Sequence, residues 1–281
     1  MGQLSLTSTA PRHAHSPAGS NARLRVLAER RSQLWLSILA AAGWIGLVTH
    51  EIAHRVAAGS NDVDASVVQA DHGHGHMEVG SAGSGSVVVD VTMQAVMWAA
   101  MIAIMLPLIA PNVRFVTLRS PVRERQRVAC AIVAGWSIVW AAAAVLLAIC
   151  TWLAVQGVGQ VGAIAVLIVV AVGWHLSPVK RRSAARCHRT FAPPLDADEA
   201  SVECRRFGMR LGVDCVASCW ALMAVMGAAG HSVLAVAPLF WVSWYERRRR
   251  PHHDPRTATT AGVMVCTGVA LIVVTSWVGL G

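Results

Sequence analysis

VACAIVAGWSIVWAAAAVLLAICTWL, residues 128–153, continues for about seven helical turns without one charged side chain. A helix at the surface of a soluble domain keeps one polar face, and this stretch has none. Roughly 20 such residues cross about 30 Å of hydrocarbon, so the run reads as a membrane span. Outward from it, runs of similar character recur near 34–53, 88–109, 161–178, 211–229, 232–245 and 259–280, the sixth being short. The whole chain agrees: 55% of it is hydrophobic and 14% charged, against about 25% charged in an ordinary soluble domain. The expected fold is all-α, a polytopic integral membrane helix bundle of about seven transmembrane helices.

The charges set a topology. Arg12, Arg23, Arg25, Arg30 and Arg31 precede the first run; Arg114, Arg119, Arg123, Arg125 and Arg127 follow the second. Lys180 to Arg210 and Arg247 to Arg256 hold the rest, while the alternate loops carry Arg55 alone. Basic loops stay on the cytoplasmic side, which puts the N-terminus inside and predicts an odd number of spans. The net charge of +9 is thereby read as a topology signal of a plasma (inner) membrane protein facing the lipid bilayer, with no nucleic acid partner. Residues 1–32 form a basic cytoplasmic tail and 33–281 one membrane domain, with an extracytoplasmic loop at 55–87 and a cytoplasmic loop at 179–210. Residues 1–22 are polar and lack the apolar core of a cleavable signal peptide. The chain has seven cysteines, none in the outer loop where disulfides would form, so they read as thiols.

Sulfur is arranged with a period. Met93, Met97, Met101 and Met105 recur every four residues in MQAVMWAAMIAIMLP, a step that turns about 40° and rises about 6 Å. They make either a ladder of thioether donors or a packing seam. In GVDCVASCWALMAVMG, Cys215, Cys219, Met223 and Met226 fall within about 80° of one helical face. All are soft donors of the kind that selects Cu(I) over hard cations. The topology runs the two helices in opposite directions, setting Met101 and Met105 at the depth of Cys215 and Cys219. The expectation is a sulfur-lined seam between them.

The outer loop adds nitrogen. In DHGHGHM, His72, His74 and His76 alternate with glycine, so an extended backbone puts three imidazoles on one side, and Met77 follows. Imidazole binds copper and zinc when neutral, so binding here weakens below about pH 6.5. A merely polar loop is the bland alternative. THEIAHRV, residues 49–56, spells H-E-x-x-H with His50, Glu51 and His54, the zinc protease pattern in which glutamate acts as base. Its place at the outer mouth of the first span favours an entrance pair of ligands, His50 and His54, or a polar helix end.

Three stretches together, MWAAMIAIMLP, GWHLSPVK and GMRLGVDCVASCWALM, resemble a family of predicted metal-binding integral membrane proteins, some of them labelled copper chaperones. The likeness covers the second through the sixth span. It implies roles for Cys215 and Cys219, for Met101 and Met105, and for Cys187 in the loop after the fourth span. Ser218, Ser183 and His175 stand where the family has two cysteines and a glutamine. The resulting expectation is a metal-binding membrane protein, Cu(I) favoured and zinc possible, acting as a chaperone or assembly factor for a membrane or extracytoplasmic metalloenzyme. A metal transporter is the alternative, a zinc metalloprotease on His50, Glu51 and His54 a distant third, and a scaffold whose methionines only pack a fourth.

Overall fold

The computed structural model describes residues 34–53, 55–56, 84–192, 194 and 197–248, with backbone only for 84–90, 197 and 198. His54, the histidine tract at 71–77 and the run at 259–280 lie outside the described residues. Those described form seven α-helices: α1 (Leu34–Ala53), α2 (Ser84–Met105), α3 (Ala110–Arg119), α4 (Arg125–Leu176), α5 (Pro178–Arg186), α6 (Ala197–Ala228) and α7 (Val233–Arg248). One 3-10 turn, Leu106–Leu108, joins α2 to α3. No strand occurs among them, as the uniform apolar runs predict. Four helical stretches are long and apolar enough to cross a membrane: Leu34–Ala53, Val91–Leu108, Arg125–Leu176 and Glu199–Ala228.

The 52 residues of α4 would reach about 78 Å if straight. They do not, because Gly159 takes φ 72° and ψ 167°, a conformation open to glycine and closed to residues with a Cβ. The chain reverses there. Ile132, Val139 and Thr151 of the first limb meet Gly208, Gly212 and Gly227 of α6 in rising order. The second limb meets α6 in falling order: Gln160 Nε2 donates to the Ala228 carbonyl at 3.1 Å and Trp174 Nε1 to that of Ala217 at 2.9 Å. So α4 is an antiparallel pair, corresponding to the separate runs at 128–153 and 161–178.

Small residues set the crossing of α4 with α6. A Cβ added to Gly208 would collide with the Ile132 carbonyl, and one added to Gly135 with the Arg205 carbonyl. One turn on, a Cβ at Gly212 would lie 2.9 Å from Val139 Cβ. Gly208-x-x-x-Gly212 thus lets two backbones touch, as small residues do where helices pack in lipid. Gly43 brings α1 near to the Ala100 carbonyl of α2, at 2.7 Å from the added Cβ. Outside this core the surface stays apolar, with Ile138, Leu146, Trp152, Val169 and Trp241 all exposed.

The loop expected at 179–210 is largely helical. Ser177 caps α5, accepting from the Lys180 N–H at 3.1 Å, and Pro178 begins it, where a missing N–H costs nothing. The fifth run is the distal part of a 32-residue helix that starts at Ala197. The sixth is α7, only 16 residues long and containing Pro238. Arg114, Arg119, Lys180, Arg186 and Arg247 gather where α2 finishes and α6 begins. That is the basic end; the α6–α7 turn marks the far end.

Candidate metal centre

Pro107 and Pro111 decide the local geometry at the basic end. Lacking N–H groups, they interrupt the ladder after Met105 and leave carbonyls without helical partners. The Leu108 carbonyl is taken by Arg247 Nε, from α7, at 3.0 Å. The same guanidinium donates through Nη2 to Asn112 Oδ1 at 3.2 Å and through Nη1 to Cys215 Sγ at 3.4 Å. Asn112 in turn donates Nδ2 to the carbonyls of Cys187 and Arg189, at 3.2 and 3.1 Å. One arginine therefore ties the 3-10 turn, α3 and α6 together, and an asparagine pins the residue that ends α5.

That residue matters because Cys187 Sγ lies 3.8 Å from Cys215 Sγ. An ion pair one residue earlier on both elements, Arg186 Nε to Asp214 Oδ1 at 2.9 Å, holds α5 in register with α6. Both thiols are buried, at 1% and 5% exposure. Two thiolates on one ion with bonds of about 2.3 Å sit about 3.8 Å apart at a tetrahedral angle and about 4.6 Å apart when linear. The observed separation falls at the near edge of that window. The hydrogen bond to Cys215 first, and burial second, push the Cys187 thiol well above its ordinary pKa, so it donates its proton to the partner sulfur.

Cys215 and Cys219 share a cavity of about 40 Å³ with Met105, His188, Glu246 and Arg247. It is large enough for a water molecule or a bare ion. Trp136 and Trp140 also face it with buried indole N–H groups, that of Trp140 without a hydrogen-bond partner among the described residues. Glu246 accepts from Lys180 Nζ at 2.8 Å on both oxygens, and Lys180 is only 4% exposed. Burial, then the charge of Arg247, hold the His188 imidazole below its usual pKa and hence neutral. Among the described residues, no group of three or more His, Cys, Asp or Glu side chains could hold a metal ion. The donor set here is two thiols with a third, Cys219, and one thioether beside them.

Most of the sulfur donors expected on α2 and α6 lie in one apolar core with Cys187 and Cys215. Met97, Met101, Met105, Met223 and Met226 are all buried in the apolar core; of these, Met105 lines the cysteine cavity. Met93 is 44% exposed. Glu51 is engaged by Arg55, Oε1 accepting at 2.8 Å, within the helical pattern of i and i+4. His72, His74, His76, Met77 and His54 lie outside the described residues. Sequence reading missed Arg247 and Asn112, and reached Cys187 through the family likeness. No local spacing relates Cys187 to Cys215, and Arg247 hides within a run of four arginines.

Helices of membrane-crossing length in this all-α protein thus enclose thiols, a thioether and a guanidinium at one end. The chain belongs to the copper chaperone PpoB2 family, which it matches over residues 95–272, more than half its length. The matched segment contains Cys187, Cys215, Asn112 and Arg247, and it begins after the H-E-x-x-H stretch and the histidine tract. No curated protein and no solved structure gives a match.

Proposed function

We propose that this chain is a multi-pass inner-membrane copper chaperone, not an enzyme. It carries Cu(I) on Cys187 and Cys215 and delivers it to a membrane or extracytoplasmic metalloenzyme. The observation that carries the reading is the sulfur pair at 3.8 Å with Arg247 Nη1 3.4 Å from one member. Two thiolates and one cuprous ion sum to a charge of −1, and the guanidinium neutralises it inside the bundle. Two thiolates and Zn(II) sum to zero, and the same arginine would leave a buried positive charge. Zinc also favours four ligands, whereas a soft monovalent ion accepts fewer. Met105 and Cys219 stand ready as exchange ligands, which suits a carrier that must release its cargo. The exposed apolar side chains of α1, α4 and α7 suit a lipid environment.

The test is anaerobic Cu(I) titration of the full-length, untagged protein in detergent against a chromophoric chelator. Cys187→Ser and Cys215→Ser should each weaken the tightest site by about 100-fold, near 2.7 kcal/mol. Unchanged affinity in both would sink the assignment.

A further inference from the structure

His231 occupies an unusual position at the far end. Helix α6 stops at Ala228, and the His231 N–H closes the end by donating to the Met226 carbonyl at 3.0 Å. Gly230 takes φ 64° in this turn, as a C-terminal cap does, but His231 follows with φ 58° and is the one non-glycine residue with positive φ among those described. A left-handed histidine costs about 1–2 kcal/mol. Its ring is 2% exposed, packed edge-on to Trp98 with centroids 5.1 Å apart, and Nε2 is buried with no hydrogen-bond partner among the described residues. An orphaned buried polar group costs about 1–3 kcal/mol more. Glycine or asparagine would cap this helix more cheaply, so capping alone does not explain the imidazole.

A second imidazole lies at the same end of the bundle. Helix α1 runs against α2 at Gly43 and Ala100, and its Trp44 meets Phe240 of α7 edge-on at 5.7 Å. Following α1 about two turns towards the far end leads to His50, while following α7 back from Phe240 leads to His231. The charge of His50 is felt at His231, whose pKa burial first and His50 second bring down to about 4.

We infer that His231 and His50 form a second, nitrogen-donor copper site at the far end of the bundle. It lies about 20 Å along α6 from Cys215, by the rise of an α-helix. The inference rests on the copper-carrying reading and gives the carrier a donor pair at each end. Ligation takes both imidazoles in their neutral form, which leaves a cuprous ion with charge +1 and a zinc ion with +2. The nearby carboxylate, Glu51, is committed to Arg55. Cu(I) is therefore the ion this pair tolerates in apolar surroundings. A two-nitrogen site binds more weakly than a dithiolate, as suits a point of release.

X-ray absorption of the Cu(I)-loaded full chain tests it, in a background with His72, His74 and His76 replaced by serine. His231→Asn keeps the left-handed turn, which asparagine tolerates, and His50→Gln alters a residue that is not fully buried. Each variant should lose one equivalent of copper and the imidazole scattering, with sulfur scattering intact. Retention of both in both variants overturns the proposal and leaves the dithiolate reading standing. Loss of sulfur-bound copper only in Cys187→Ser or Cys215→Ser marks the two sites as separate, whereas a failure confined to those variants counts against the dithiolate alone.

Discussion

Arg247 and Cys215, 32 residues apart and on different helices, are joined by a guanidinium-to-sulfur contact of 3.4 Å. With Cu(I) carried on Cys187 and Cys215, as proposed, this contact sets the charge state the site accepts. Replacing Arg247 with Met should weaken Cu(I) at least about tenfold and narrow its advantage over Zn(II), because the anionic dithiolate loses its counter-charge. It should also destabilise the fold by about 1–3 kcal/mol, since the Leu108 carbonyl and Asn112 Oδ1 lose their donor. Arg247→Lys should recover much of the affinity and less of the stability, a lysine lacking the planar fork. Parallel chelator competition with both ions and thermal denaturation measure the two effects.

The dithiol makes binding depend on pH in a fixed direction. The Cys187 pKa is raised, so the thiol is protonated at neutral pH and an entering ion must displace that proton. Affinity should rise about tenfold per pH unit for each proton released between pH 6 and 8. A flat profile, after correction for the chelator, would show that Cys187 is not a ligand.

Glycine substitutions separate contact from propensity. Gly208→Ala drives a methyl into the Ile132 carbonyl and should cost about 3 kcal/mol, the upper range for overpacking. Gly173 has nothing within 4 Å of an added Cβ, and Gly173→Ala should be neutral or stabilising by up to about 1 kcal/mol. Equal melting temperatures for the two variants would contradict the close α4–α6 crossing.

The H-E-x-x-H stretch yields a negative expectation. Glu51→Gln breaks the pair with Arg55 and leaves no peptidase activity to lose. Hydrolysis of a casein substrate by the wild type, abolished in this variant, would restore the protease reading.

Deleting 71–77 should remove weak, imidazole-bound copper and leave the tightest site unchanged, because the paired sulfurs sit at the basic end. A 100-fold drop at the tightest site would instead place the main donors in the outer loop.

Apolar runs and the spacing of arginines determined the helical class and the alternation of the chain, because burying a backbone without water demands helices. They also marked Cys215 and Cys219 as candidate donors, since a four-residue step on a helix is local information. Tertiary structure alone brought Cys187 to Cys215 and carried Arg247 to both. Pro107 and Pro111 freed a carbonyl for the arginine, Arg186 and Asp214 set the register of α5, and glycines let α4 meet α6 closely enough to seat Trp136 over the cavity. It also withdrew Met101 and Met223 into the core, where a thioether is as much filler as ligand, and turned His231 inward at the end of α6. Periodicity says which residues share a face. Which faces meet depends on backbone breaks and on contacts between residues dozens of positions apart, and no window of sequence contains them.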